Sequence, residues 1–413
     1  MIGACMLLPA ASKNDQLLLV NTAPTRYKLC MTAPHAITTL TLQNFRNYDS
    51  LNLQLAPHTL VLTGHNGAGK TNILEAISLL SPGRGMRGAK LREMDAMAGR
   101  GAWVVAATFT SRDRTVQIGT GRDAEASIEK RIIRIDGEPV RKQAVLAQHA
   151  CIQWLTPGMD QVFMEGGSAR RKLLDRLTYG FSPEHATRVS AYETAMRERN
   201  RLLQDRGRAD PYWLSVLEQQ MAEHAIAITL ARLEAMERIS THLAEPLAGF
   251  PRAVIALQGA AESWLAEGLS ALDAEAKLAE RLRELRPIDG ASGRASEGAH
   301  RSHFHVIHSE KNMTAERCST GEQKAVLLSL ILAAARARIA WCGQGPILLL
   351  DEVVAHLDVD KRGQLFDLIR ASAIQAWMTG TDAADFQGLG ADCTHLEIAG
   401  GTASVRVGKE SKI

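Results

Sequence analysis

The sequence predicts an α/β fold of mixed β-sheets with flanking helices, cut into two β-rich parts by an inserted α-helical lobe. Three stretches predict it. The first is Gly64-His65-Asn66-Gly67-Ala68-Gly69-Lys70-Thr71, which follows the apolar run His58 to Thr63 and precedes the helix-prone run Asn72 to Leu80. Strand, glycine-rich turn and helix in that order are the context in which GxxxxGK[ST] cradles a phosphate. The second is Ile347-Leu348-Leu349-Leu350-Asp351-Glu352, an apolar strand ending in two carboxylates. The third is the stretch from about Pro183 to Leu285, where Ala, Glu, Arg and Leu recur at helical spacing.

Composition bounds the class. A chain of 413 residues, 46% hydrophobic and 23% charged, has room for two or three domains with a real core. Its formal net charge of +3 is too small to announce a polyanionic partner, so any nucleic-acid surface is a local patch. Cysteines at 5, 30, 151, 318, 342 and 393 form no CxxC pair, which points to a reduced cytoplasmic protein without structural zinc or a disulfide frame. The apolar pieces 6–11 and 17–20 are broken by Lys13, Asn14 and Asp15, a poor secretory signal. No run of about 18 uninterrupted apolar residues predicts a membrane span.

Residues 1–35 lack a sustained period and carry Pro9, Pro24 and Pro34; they read as a poorly ordered extension, or as upstream sequence if translation begins at Met31. From Ile37 the apolar positions alternate on both sides of Asn44-Phe45-Arg46-Asn47-Tyr48, giving two short strands and a polar turn. In the phosphate loop the glycines let backbone N–H groups converge on one anion, and the following helix adds the positive end of its dipole. Lys70 then reaches the β- and γ-phosphates, and the Thr71 hydroxyl ligates Mg²⁺. The glycine-rich basic loop Ser81 to Arg92 has two readings: Arg84 and Arg87 touch a nucleic-acid backbone, or the loop is simply solvated. Strands are expected at 102–110, 115–120, 130–135 and 151–155, with Asp136-Gly137-Glu138 as a hairpin turn, and a helix from Ala169.

In the helical stretch, Leu214, Leu217, Met221, Ala225 and Ile228 step by three and four. Pro211 to Glu245, ended by Pro246, would span about 50 Å as one helix. Heptad order fades quickly, so a compact helical lobe is expected instead of a long coiled coil. Arg197, Arg199, Arg201, Arg206 and Arg208 crowd together there, as a DNA contact or as a solvated face balanced by Glu193, Glu198 and Asp205. The segment 287–301 reads as a Gly/Ser-rich return loop, followed by a strand at 303–308.

The last part carries a second cluster. Ser319-Thr320-Gly321-Glu322-Gln323 opens the apolar helix 325–339, offering a hydroxyl, a flexible glycine and unpaired helix N–H groups to one anion. Asp351 supports the Mg²⁺ and Glu352 polarises the attacking water. His356-Leu357-Asp358 suits a loop facing a second subunit, and the segment Trp377 to Asp382 suits a γ-phosphate sensor.

Phosphate loop, helical insertion, Ser319 loop, Asp351-Glu352 and His356-Leu357-Asp358 in this order resemble the ABC-type P-loop ATPase heads shared by SMC proteins. Leu42-Gln43-Asn44-Phe45-Arg46-Asn47-Tyr48, the phosphate loop through Asn72, Arg199-Asn200-Arg201-Leu202-Leu203 and Met378-Thr379-Gly380-Thr381 are similar to the bacterial RecF family, over roughly residues 37 to 383. The resemblance implies an ATPase head whose N-terminal half is 36–181, a helical arm at 182–290 and the C-terminal half of the head at 291–413. It implies ATP and Mg²⁺ as cofactors, with Arg46, Asn47, Gly64, His65, Asn66, Gly67, Ala68, Gly69, Lys70, Thr71 and Asn72 lining the nucleotide. Ser319, Gly321 and Gln323 would close on that nucleotide from the other copy of a homodimer. It further implies slow, DNA-dependent ATP hydrolysis, binding to double- and single-stranded DNA at gaps or stalled forks, and work with RecO and RecR to load RecA. One departure stands out: the family's Gly-Pro-His-Arg-Asp-Asp is Gly298-Ala299-His300-Arg301-Ser302-His303 here, two acids fewer. Two other classes share the head. A transporter ATPase has its Ser-Gly loop about 100 residues after the phosphate loop and no response to DNA; the other is an SMC-like or DNA-end-processing ATPase with a short arm, and the arm here lacks the CxxC hook and sustained heptads of long-armed relatives.

Overall fold

The computed structural model describes residues 35–96, 101–111, 114–124, 129–205, 210–245, 249–354, 357–372, 374–390 and 393–405. The N-terminal extension up to residue 34, Arg206, Arg208, Pro246 and His356 lie outside the described residues. The chain opens with the hairpin β1 (Ala36–Phe45) and β2 (Tyr48–Gln54), then β3 (Thr59–Thr63) and α1 (Lys70–Ser78). Next come β4 (Val104–Ser111), β5 (Arg114–Arg122), β6 (Arg131–Ile135), β7 (Glu138–Pro139), β8 (Ile152–Leu155) and α2 (Gly167–Thr178). The middle holds α3 (His185–Gln204), α4 (Pro211–Ala244), β9 (Ala253–Gln258), α5 (Ala260–Ala266), α6 (Ala271–Glu284) and α7 (Arg286–Ser292). The chain closes with β10 (His303–His308), β11 (Met313–Thr314), α8 (Thr320–Cys342), β12 (Ile347–Leu350), α9 (Val359–Ala371), β13 (Ala376–Gly380), β14 (Cys393–Ala399) and β15 (Thr402–Val405).

Among the described residues these strands make three sheets. One is antiparallel, in the order β2-β1-β4-β5-β6-β7; a small one runs β11-β10-β9; the central one runs β15-β14-β3-β13-β12-β8. In the central sheet β14, β3, β13, β12 and β8 are parallel. A parallel sheet is buried on both faces, and period-two alternation assigns each side chain to one of two cores. Val61, Leu348, Leu350 and Met378 pack toward α8, whereas Leu60, Leu62, Ile347, Leu349 and Trp377 pack toward α1 and the antiparallel sheet. Val326, Leu327, Leu328, Leu330, Ile331 and Leu332 of α8 are all within 1% of complete burial. Each contributes on the order of 1.5–3 kcal/mol. Helix α8 is long and apolar enough to cross a membrane by length and composition, and most of that window is buried inside this core.

The structure departs from the sequence reading in two places. The stretch expected to be helical throughout contains β9, because Ala253-Val254-Ile255-Ala256-Leu257 is too short and too uniformly apolar for its period to decide, and pairing with β10 decides it. The expected return loop contains α7, started by Pro287, whose missing N–H costs nothing at a first turn, and ended by Gly293 at φ 72°. Helix α4, about 50 Å long, belongs to two cores. Leu217, Met221, Ala225 and Ile228 pack with α3, α5 and α6 in the lobe, while Ala235, Met236, Ile239 and Leu243 pack in the head with α8.

At the joint between head and lobe sits Asp175 of α2. His185 Nε2 of α3 donates to its Oδ1 at 2.7 Å, Arg232 of α4 donates to both oxygens at 2.8 and 3.0 Å, and Arg232 also reaches Ala299 O at 2.8 Å. Burial alone would raise the Asp175 carboxyl, but Arg232 and His185 outweigh it and hold it at about 2, below its ordinary 3.8. A depressed carboxyl stabilises the fold above its unfolded pKa and stops doing so as pH falls through the folded one. Thermal melts of the wild type should therefore lose about 2 kcal/mol of stability between pH 4 and pH 2 that the Asp175→Asn protein has already lost at pH 7. Parallel pH profiles for the two proteins would refute that assignment.

Candidate nucleotide-binding site

The phosphate loop follows β3 and Asp351-Glu352 follows β12, with β13 between them in the sheet. Loop and acids thus share the carboxyl edge of a parallel sheet, where crossover connections leave a crevice for ligands. Gly69 has φ 111°, and a Cβ there would sit 2.4 Å from Asn47 Nδ2 and 2.7 Å from the Tyr48 hydroxyl. Gly64, at φ 148°, would push a Cβ to 2.3 Å from Ile398 O. Only glycine lets the loop lie this close to its neighbours. His65, Asn66 and Gly67 form the exposed tip, Ala68 and Thr71 are half-buried, and Lys70 is buried with Nζ donating to Gly64 O at 2.6 Å and His65 O at 3.0 Å. Burial lowers the Lys70 pKa, and the charges of Glu352 and Asp351 oppose that shift.

A hydroxyl relay joins the loop to the acids. Thr71 Oγ1 donates to Asp351 Oδ1 at 2.9 Å, Thr379 Oγ1 donates to the same oxygen at 2.8 Å, and Thr379 Oγ1 accepts from the Glu352 amide at 2.8 Å. Glu352 takes a left-handed backbone at φ 54°, uncommon for a side-chain-bearing residue and held here by that amide bond. Burial raises the Asp351 carboxyl, the Thr379 and Thr71 hydroxyls lower it, and Glu352 adds to the rise. A desolvated carboxylate beside a hydroxyl and a second acid is an all-oxygen donor set that a divalent cation offsets. Thr71 and Asp351 are therefore a donor pair that a divalent cation such as Mg²⁺ would fit; among the described residues no cluster of three or more His, Cys, Asp or Glu side chains offers an alternative centre.

Arg46 and Asn47 brace the loop. Arg46, at φ 56°, forks onto Glu75 at 2.7 and 3.0 Å and donates to Glu93 O at 2.6 Å; Asn47 donates to Ala68 O at 3.0 Å and accepts from Asn72 Nδ2 at 2.7 Å. Arg87 of the basic loop reaches the same Glu75 at 3.1 Å and Asn72 Oδ1 at 2.9 Å. Sequence reasoning missed Glu75, whose signal was a lone acid inside the apolar face Ile73-Leu74-Glu75-Ala76-Ile77. On α8, Ser319 and Gly321 are exposed, whereas Gln323 is buried and donates to Cys318 O at 2.9 Å, buttressing the turn from inside. Ser319 and Gly321 line a cavity of about 410 Å³ with Asp351 and Glu352, and no phosphate-loop residue lines it.

The arginine cluster needs a correction. Arg199 is fully buried in the lobe, bonded to Glu218 and Asp289 at 3.0 and 2.7 Å, so it offers nothing to DNA. Arg197 and Arg201 on the same helix are exposed, as are Arg84 and Arg87. The missing acids at 302 and 303 leave no hole: Ser302 is buried with Oγ on Glu262 Oε1 at 2.5 Å.

Fold and site together define an ABC-type P-loop ATPase head of the kind found in SMC proteins, interrupted by a helical lobe. Residues 36–388 match the RecF/RecN/SMC N terminal domain family. The chain is 45% identical to the DNA replication and repair protein RecF of Rhizobium rhizogenes (strain K84) over 372 residues, 89% of this chain and 98% of that one. It is 44% identical to the RecF of Agrobacterium fabrum (strain C58) over 375 residues, 90% and 99% of the two chains. The chain belongs to the RecF family of DNA replication and repair proteins. Its fold overlays a recombination mediator protein RecF solved as RecF-ATPrS in the RecFOR pathway, with TM-score 0.78 at 22% identity, covering 91% of this chain and all of that one. A Pyrococcus furiosus Smc head domain overlays with TM-score 0.51 at 16% identity, covering 90% of this chain and 96% of the other.

Proposed function

We propose that the chain is an ATP-dependent DNA-binding protein of recombinational repair, in which two copies close on ATP, grip DNA at gaps or stalled forks and let go on slow hydrolysis. The observation that carries this reading is the glycine cradle joined through the Thr71 and Thr379 hydroxyls to Asp351 and Glu352 at one sheet edge, with Ser319 and Gly321 exposed at the start of α8. In this reading the exposed Ser319 and Gly321 of one copy close on the triphosphate held by the cradle of the other, so the γ-phosphate acts as a charged bridge between subunits. The solved recombination mediator proteins RecF-ATP and RecF-ATPrS of the RecFOR pathway support the nucleotide and a place in that pathway; loading RecA with RecO and RecR is the part this reading gives it there.

In this reading each part of the site has one task. Lys70 and the loop amides hold the β- and γ-phosphates. Thr71 and Asp351 would hold Mg²⁺, which screens the charge on those phosphates. Glu352 accepts the proton of the attacking water, and Thr379 fixes its backbone. Arg46 and Asn47 keep the loop in register from the nucleotide side. Such a protein works in the cytoplasm, on double- and single-stranded DNA. Sedimentation of the purified chain without nucleotide, with ADP and with ATP, each with and without gapped DNA, tests the reading. A dimer formed only with ATP and stabilised by the DNA is expected; a monomer under every condition would sink it.

A further inference from the structure

A cleft of about 1150 Å³ separates the head from the helical lobe. Its floor is the head: the turn after α1, the segment 141–144 and α2. Arg131 ties two parts of that floor together, donating to Gly83 O at 2.7 Å and Gln143 Oε1 at 3.2 Å. Arg84, Arg141, Lys142 and Lys172 stand exposed along it, and among the described residues none of them has an ion-pair partner. Beneath them lies Arg176. Its guanidinium stacks 4.2 Å from the Trp154 ring centre and donates to Trp154 O at 3.1 Å, while among the described residues its Nε has no partner and no carboxylate pairs with it. The neighbouring Asp175 is taken by Arg232 and His185. A half-buried guanidinium without a counter-charge is costly, and an anion entering the cleft offsets that cost.

The opposite wall has another chemistry. Helix α3 presents Thr187, Ser190, Ala191 and Thr194, flanked by Glu193 and Glu198, and α4 adds Glu223, paired to Arg188 at 3.6 Å. A phosphate chain is drawn to the floor and repelled by this wall. A duplex carries phosphates on both flanks, one of which would meet the glutamates. A single strand carries phosphates on one side and bases on the other, and the small hydroxyl-bearing wall accepts base edges. We infer that the head–lobe cleft holds single-stranded DNA, its phosphates on Arg84, Arg141, Lys142, Lys172 and Arg176 and its bases toward α3. The inference rests on the DNA reading above and gives the unpaired strand of a gap its own seat.

The test uses the full chain with ATP, a labelled oligothymidylate and a labelled blunt duplex, read by fluorescence anisotropy. Replacing Arg141, Lys142 and Lys172 together by Gln should weaken single-strand binding at least about tenfold and lower its salt slope by about 2, at roughly 0.7 per phosphate contact, with duplex binding within about twofold. Ser190→Trp, on an exposed position that changes no charge, should block the wall and weaken the single strand alike. Cross-links from 4-thiothymidine in the oligonucleotide should map to α3. Single-strand binding unchanged in both variants, or falling in step with duplex binding, overturns the cleft. Competition by tripolyphosphate as effective as that by oligothymidylate reduces it to a simple anion site and overturns it too. A wild-type protein that binds neither DNA refutes the reading beneath it instead.

Discussion

Changing Glu352 to Gln should slow single-turnover ATP hydrolysis by about 10²- to 10⁴-fold while ATP-driven self-association persists and outlasts that of the wild type. Glu352 is placed by its backbone: the amide is held on Thr379 Oγ1, and the same hydroxyl donates to Asp351 Oδ1. Glutamine preserves volume, backbone and every one of these bonds, and removes the carboxylate's charge and with it the ability to accept a proton. Binding and chemistry therefore come apart in this variant. Lys70→Met acts at the other end of the site. It deletes the cation whose charge is balanced by Glu352 and Asp351, so ATP should no longer shift the sedimentation coefficient at all. A Glu352→Gln protein that turns over at the wild-type rate, or a Lys70→Met protein that still dimerises with ATP, would remove both residues from the roles assigned to them.

How much of this could be read from the chain depended on distance along it. The phosphate loop is a single turn between β3 and α1, and the acid pair ends one apolar strand, so each is set by a few consecutive residues. The link between them is not. Thr379 sits between loop and acids only because β13 inserts between β3 and β12, a sheet order that no local pattern encodes. Glu75 is similar: a buried acid in an apolar helix announces a partner without saying that Arg46 and Arg87 both come to it. In α4 the steps of three and four continue unchanged from lobe to head, so periodicity located the helix but not the two cores it serves. β9 shows the remaining limit, since a five-residue apolar run is assigned by the strand beside it.

The arginines of α3 show the same limit as a measurable difference. Arg199→Ala should cost about 3–5 kcal/mol, whereas Arg197→Ala and Arg201→Ala should each stay within about 0.5 kcal/mol of wild type. Arg199 is the completely buried one, and it ties three helices: Nε to Glu218 of α4 at 3.0 Å, Nη1 to Asp289 of α7 at 2.7 Å and Nη2 to Leu282 O of α6 at 2.5 Å. Glu218 keeps a second cation, Arg286 at 2.6 Å, but among the described residues the Asp289 carboxylate keeps only the Ser296 amide and hydroxyl. Alanine therefore strands a buried carboxylate, and the cost is the desolvation of Asp289 more than the loss of the pair. Pairing the change with Asp289→Asn should recover part of the loss, because the orphaned charge goes with it. A chain of this size need not unfold in one step, so the reading belongs to the lobe itself, as hydrogen-exchange protection of α3, α6 and α7. If Arg199→Ala exchanges no faster there than Arg201→Ala, the ion cluster adds nothing and the lobe is held by Leu217, Met221, Leu278 and their apolar neighbours alone.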